Sequence, residues 1–89
     1  MEFEFDAEKS MANWAKHEID FVQAQDLWED PDRVEVPART AGEARWLVIG
    51  RIGKVHWSAV VTYRDRRVRI ISVRRSRSEE VKIYEQDEH

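Results

Sequence analysis

Residues 45–75 read RWLVIGRIGKVHWSAVVTYRDRRVRIISVRR, and their pattern decides the fold. Val, Ile, Trp, Thr and Tyr crowd three runs, Arg45–Ile52, Val55–Arg64 and Arg67–Arg75. These side chains suit a pleated, half-buried surface. Only Gly53-Lys54 and Asp65-Arg66 separate the runs. Such short connections require antiparallel hairpins, since parallel strands need a crossover of about a dozen residues. An antiparallel meander is expected.

Toward the N-terminus, Phe3 and Phe5 alternate with Glu2, Glu4 and Asp6, the period of a short strand. Asp6 can cap a following helix. From Ala7 the apolar side chains recur at Met11, Trp14 and Ala15, one helical stripe expected to face the core, with the helix ending near His17. Asp20 and Gln23 form a capping-box pair, and Phe21, Ala24, Leu27 and Trp28 continue as the buried face of a second helix. Pro31 stops it by disfavouring helical geometry at Asp30. Residues 33–39 are expected to be an extended edge, because Pro37 has no N–H for a central ladder. Beyond the meander, Ser76 with Glu79 suggests a cap for a last helix that turns Val81 and Tyr84 inward before an acidic, fraying end.

The expected class is α+β: an antiparallel sheet packed against two N-terminal helices, with a C-terminal helix, in a single domain over 1–89. The chain has no cysteine and no apolar run near the roughly 18 residues of a membrane span. It shows no basic-then-apolar leader, so the expectation is a cytoplasmic protein with no membrane partner.

Net charge is −3, an average over unlike segments. Residues 1–44 hold 4 basic and 12 acidic side chains, whereas residues 45–78 hold 10 basic ones against Asp65 alone. Arg64, Arg66, Arg67, Arg69, Arg74, Arg75 and Arg77 fall within 64–77. Some can be rim residues with packed stems and solvated heads. As a set without local counter-charges they point to an anionic partner, and the arginine fork donates two parallel hydrogen bonds to phosphate. On the preceding strand, His56, Trp57 and Tyr63 can stack on unpaired bases or fill the core.

Arg77, Glu80 and Tyr84 share one side of the last helix, next to Arg74 and Arg75. Cleaving an RNA phosphodiester needs a base for the 2′-hydroxyl, an acid for the leaving oxygen and cations for the phosphorane. Glu80, Tyr84 and the arginines supply those types. The alternative is structural: a Glu80–Arg77 surface pair and a tyrosine anchoring helix to sheet. Three scattered histidines make no zinc site, and no Gly-rich phosphate loop, nucleophile elbow or paired-carboxylate motif is present, so no cofactor or metal is expected.

The strings FEFDAEKSMANWAKHEIDFVQAQDLWEDPDR and LVIGRIGKVHWSAVVTYRDRRVRIISVRRSRSEEVKIYE resemble the BrnT family of bacterial type II toxins. The pieces that carry the resemblance are FEFD, KHxIDF, DPDR, IGR, the YR turn and RIISxRR before an acidic helix. It implies a RelE-like ribonuclease fold, RNA cleavage that inhibits translation, and neutralisation by a BrnA-like antitoxin that would carry the DNA contact in a toxin-antitoxin heterotetramer. The positions that match the family are His17, Asp30, Arg51, Arg64, Arg69, Arg74, Arg75, Glu80 and Tyr84. Glu18 stands where the helix junction often has glycine, and Ser76 where a small apolar residue is common.

The resulting expectation is a metal-independent endoribonuclease. Arg64 and Arg74 would bind the scissile phosphate and Glu80 or Tyr84 would move protons. Arg51, Lys54, Arg69, Arg75 and Arg77 would hold RNA. The alternative is a non-catalytic module that binds RNA or an acidic protein through the same face. Trp46 or Trp57 is the expected aromatic anchor for a protein partner.

Overall fold

The computed structural model describes residues 1–39 and 41–86, so the expected fraying of the acidic end, 87–89, lies outside the described residues. The elements are β1 (Glu2–Glu4), α1 (Ala7–His17), a 3-10 helix (Gln23–Glu29), β2 (Val34–Ala38), β3 (Arg45–Ile52), β4 (Val55–Arg64), β5 (Arg67–Arg75) and α2 (Ser78–Gln86). Five strands form one sheet in the order β1-β5-β4-β3-β2. The meander is antiparallel as expected, but β1 runs parallel to β5, with Phe3 opposite Val68, which makes the sheet mixed. No helix among the described residues is long and apolar enough to cross a membrane.

One face of the sheet, the helix face, packs Val48, Ala59, Val61, Val68, Ile70 and Val73 against Ile19, Phe21, Ala24 and Leu27. On the opposite face, Tyr84 of α2 packs with Val34 and Ile49, flanked by Val36 and Leu47. Strict alternation along β5 would set Val73 opposite in sense to Val68 and Ile70, yet all three are buried in one cluster. A register shift between Val60 and Val61 explains it: Val60 faces Ser72, Val61 faces Ile70, and Ile71 is the extra residue of a bulge. The bulge resets the phase. It corrects the two-faced reading of the strand, joining Val68, Ile70 and Val73 inside while leaving Arg69 and Arg74 together on the face that carries α2.

The second expected helix is a 3-10 helix. Phe21, Ala24 and Leu27 are spaced by three and are 1%, 0% and 0% exposed. A helix with three residues per turn stacks all of them on one side, which an α-helix would fan out. The Asp20 and Gln23 side chains bond each other's backbone N–H reciprocally, at 2.7 and 3.0 Å, as the capping pair predicts.

Helix α1 overturns an expectation. Asp6 caps it by accepting the Glu8 and Lys9 N–H groups, but the apolar stripe faces water: Met11 is 73% and Trp14 51% exposed. Ser10 and Asn13 are buried instead. Their hydrogen bonds decide the rotation. Ser10 accepts the Phe21 N–H at 2.9 Å. The Asn13 amide donates to the Ile19 carbonyl at 2.8 Å and the Val73 carbonyl at 2.9 Å, and its oxygen accepts the Val73 N–H at 3.2 Å. β1 pairs only Arg67–Arg69 of β5, so Asn13 serves Val73 where a neighbouring strand has ended.

The helix terminates at Glu18, which adopts left-handed geometry (φ 60°) and donates its N–H to the Trp14 carbonyl at 2.8 Å. At the other end of the chain the expected Ser76–Glu79 cap is absent. Ser76 shares a hydroxyl hydrogen bond with Ser58, α2 begins at Ser78, and Glu80 reaches back to the Arg77 N–H.

Asn13→Ala is expected to destabilise the fold by about 3 kcal/mol, since it strands three buried backbone groups. Glu18→Gly relieves left-handed strain and is expected to stabilise by up to about 1 kcal/mol. Chemical denaturation of both variants checks the two signs.

Candidate functional site

The β4–β5 hairpin separates the arginines into two groups. Arg64 pairs with Arg67 across the turn, while Arg74 faces Ser58 and Arg75 faces Trp57 at the other end. Strand rise puts these ends on the order of 20 Å apart. One phosphate cannot bridge Arg64 and Arg74, which corrects the expectation that they act as a pair.

At the turn end, charges are matched by acids distant in sequence. Arg64 meets Glu43 at 3.6 Å, Arg67 meets Glu2 at 3.3 Å and Glu4 at 3.9 Å, and Arg69 meets Glu4 at 3.9 Å. β1 therefore supplies the counter-charges that the local sequence lacks. Tyr63 also lies toward this end, its hydroxyl bonded to Glu35.

The other end of the sheet gathers cations differently. Arg51 sits opposite His56 on β3 and β4, which puts the two side chains on the face that carries α2, with Cβ atoms about 5 Å apart. The Gly53-Lys54 loop joins the same strands, Gly53 taking a φ of 62°. The His56 carbonyl accepts the Ser76 N–H at 3.0 Å, which brings Arg75 and Arg77 to this rim. The His56 ring meets the Tyr84 ring edge-on, centroids 5.1 Å apart. On the helix face, the Arg75 guanidinium lies 5.7 Å from the centre of the Trp57 ring. Arg51, Lys54, Arg75 and Arg77 are exposed, and His56 and Trp57 are half-buried.

Beneath this rim Glu80 is a hub. Its two oxygens take both Arg74 Nη groups at 2.7 and 2.8 Å, and one of them also accepts the Ser58 hydroxyl and the Arg77 N–H, each at 2.9 Å. The Arg74 fork, followed by the other donors, holds the carboxyl down at about 2 despite burial, and the same bond pushes Arg74 up. Every donor satisfies the ionised form. A carboxylate so committed is a weak base and a strong anchor for Arg74.

Tyr84 is similarly engaged. It is 1% exposed and its hydroxyl donates to Asp30 Oδ2 at 2.8 Å, the oxygen that also accepts the Arg51 N–H at 2.8 Å. Burial raises the Asp30 carboxyl, but the Arg51 and Asp32 N–H groups and the Tyr84 hydroxyl outweigh it, so the group ends below the usual carboxylate range. Asp30 thus closes the edge of β3 beyond the end of β2. Gly50 makes room for it: a Cβ there would meet Leu27 at 3.1 Å and Asp30 at 3.3 Å.

Of the residues anticipated from sequence, Arg51, Lys54, Arg74, Arg75, Arg77, Glu80 and Tyr84 converge at this end, whereas Arg64 and Arg69 lie apart. His17, at the end of α1, is half-buried. Ser58 was not anticipated, although a hydroxyl within the otherwise apolar stretch Trp57–Val61 is the signal for it. Among the described residues no group of three or more His, Cys, Asp or Glu side chains is placed to hold a metal ion.

The Glu80 group makes stability depend on acid. Its folded value, about 2, lies below the ordinary 4.5. Its contribution is therefore complete above about pH 4.5 and is lost as pH falls toward 2. Arg74→Ala is expected to cost about 2–3 kcal/mol at neutral pH, less than breaking a wholly buried pair. It should also remove most of this group's acid dependence, as read from denaturation midpoints across pH 2–6.

No curated protein matches this chain. The family model described as the ribonuclease toxin BrnT of type II toxin-antitoxin systems matches residues 5–80. That match starts just after β1, ends at Glu80 and takes in every strand of the meander, so the chain belongs to the BrnT family of ribonuclease toxins.

Proposed function

We propose that this chain is an endoribonuclease of a RelE-like kind, cleaving RNA by attack of the 2′-hydroxyl on the adjacent phosphodiester without a metal ion, and so inhibiting translation. One observation carries the placement of the reaction: His56 and Arg51 stand side by side on the α2 face, with Arg75 and Arg77 at the same rim. Glu80 and Tyr84, the residues the sequence suggested for proton transfer, both spend their polar atoms inside the fold.

In this reading His56 takes the 2′-hydroxyl proton, and histidine is the side chain whose ordinary chemistry suits that exchange near neutral pH. The 2′-oxygen bonds to phosphorus, the bond to the 5′-oxygen breaks, and water returns a proton to that oxygen. A 2′,3′-cyclic phosphate remains. Arg51 and Arg77 stabilise the phosphorane charge, while Lys54 and Arg75 hold flanking phosphates. Glu80 is a positioning residue, acting through Arg74. Arg64 and Arg69, at or near the opposite end, can contact only a longer strand. A BrnA-like antitoxin would neutralise the toxin and carry the DNA contact of the complex.

The purified chain incubated with single-stranded RNA in EDTA is expected to yield fragments ending in 2′,3′-cyclic phosphate. His56→Ala should slow cleavage by about 10²- to 10⁴-fold while leaving binding of a 2′-deoxy analogue nearly unchanged. Arg75→Ala with Arg77→Ala should weaken that binding and flatten its salt dependence. RNA left intact at high protein concentration, but bound, would favour a non-catalytic module.

A further inference from the structure

Three surface hollows share lining residues and pass from the helix side of the molecule round to the face that carries α2. The first lies between Met11 and Trp14 of α1 and the Asp20–Gln23 turn. The second shares Gln23 and passes Glu18 to an apolar floor of Ile52, Val55 and Trp57. The third shares Asp26 and Ile52 and ends against Arg51 and Tyr84 at the proposed RNA site. Together they form a trough from the outer face of α1 to the cationic rim.

Its chemistry is unlike that of the rim. Met11 and Trp14, which line the trough, are 73% and 51% exposed, and Val22, next to Gln23 in the chain, is 61% exposed. The Ser10 and Asn13 hydrogen bonds prevent α1 from rotating to bury the first two. Six acids line the course: Glu18 and Asp20, then Asp26, then Glu29, Asp30 and Asp32. RNA is repelled by such a lining, while a polypeptide with apolar anchors and lysine or arginine between them is attracted.

We propose that this trough is the docking surface for a cationic segment of the neutralising antitoxin, with one apolar anchor between Met11 and Trp14 and another over Val55 and Trp57. The proposal rests on the toxin-antitoxin reading above. It adds how the partner is held: the segment enters over α1, away from the RNA site, and its far end reaches Arg51, where it covers the rim. The exposed stripe of α1 then becomes interface, and of the two expected anchors Trp57 is kept while Trp14 takes the place of Trp46.

Titration of the purified toxin with its purified antitoxin, by calorimetry at several salt concentrations, tests this. Met11→Ala with Trp14→Ala, and separately Glu18→Lys with Asp26→Lys, should each weaken binding by about tenfold or more. The second pair should also reduce the salt dependence. Thermal melts and RNA cleavage by the free variants should match the wild type, since none of these residues belongs to the core or the reaction. Antitoxin affinity unchanged in both double variants overturns the proposal. So does loss of binding confined to Arg75→Glu with Arg77→Glu, which would place the dock on the rim. A wild-type chain that dimerises through Trp14, or binds single-stranded RNA through it, would identify a different occupant and overturn the proposal as well. No binding of antitoxin by the wild type overturns both this inference and the pairing it rests on. Failure of RNA cleavage with binding and its variant effects intact overturns only the ribonuclease assignment.

Discussion

A single amide side chain, Asn13, sets the relation between helix and sheet. β5 outruns its parallel neighbour β1, and Val73 is left with an N–H and a carbonyl that no strand can meet. Asn13 satisfies both and ties the Ile19 carbonyl as well. Buried backbone groups without partners cost about as much as several packed methylenes recover, so this bridge outweighs burying Met11 or Trp14. The hydrophobic pattern of α1 is subordinate to it. The outward stripe and the trough beside it follow from that choice.

Charge is organised by the same tertiary logic. Seven arginines within 64–77 resemble one cationic surface, but the fold sorts them. β1 brings Glu2 and Glu4 beside Arg67 and Arg69, and Glu43 reaches Arg64. α2 brings Glu80 under Arg74 with bidentate geometry. Arg75 and Arg77 stay exposed at the rim, joined by Arg51 and Lys54 from the neighbouring hairpin. The proposed RNA surface is the set of exposed cations at this end of the sheet. The acids of the 3-10 helix and the turn after it border that end, with Asp26, Glu29, Asp30 and Asp32 lining the same hollow as Arg51.

The Glu80 hub ties three elements of the fold together. Ser58 from β4, Arg74 from β5 and the start of α2 meet on one carboxylate, so the elements surrounding His56 are locked together. Tyr84 and Asp30 do the same between α2 and the edge of β3. Such networks hold neighbouring groups in place better than they exchange protons, because every ionised atom is already satisfied. The half-buried imidazole of His56 packs edge-on against the Tyr84 ring beside these networks, and it is the proton carrier of the proposed reaction.

Hydrophobic runs and turn residues made the meander, the Asp6 cap, the Asp20–Gln23 pair and the inward Tyr84 legible from residue order alone, because each depends on neighbours within a few positions. The family resemblance was also carried by local motifs. The α1 rotation, the Ile71 bulge, the parallel β1 and the 3-10 period were not read from order, although the three-residue spacing of Phe21, Ala24 and Leu27 was a signal for the last. The candidate site divided in the same way. Sequence determined that arginine, histidine, glutamate and tyrosine of suitable chemistry exist near one another along the chain. Tertiary structure alone decided which cations are neutralised, which proton carriers are sealed and which apolar residues face water, because partners such as Glu4 and Arg69, or Asp30 and Tyr84, are tens of residues apart and meet only when the sheet closes.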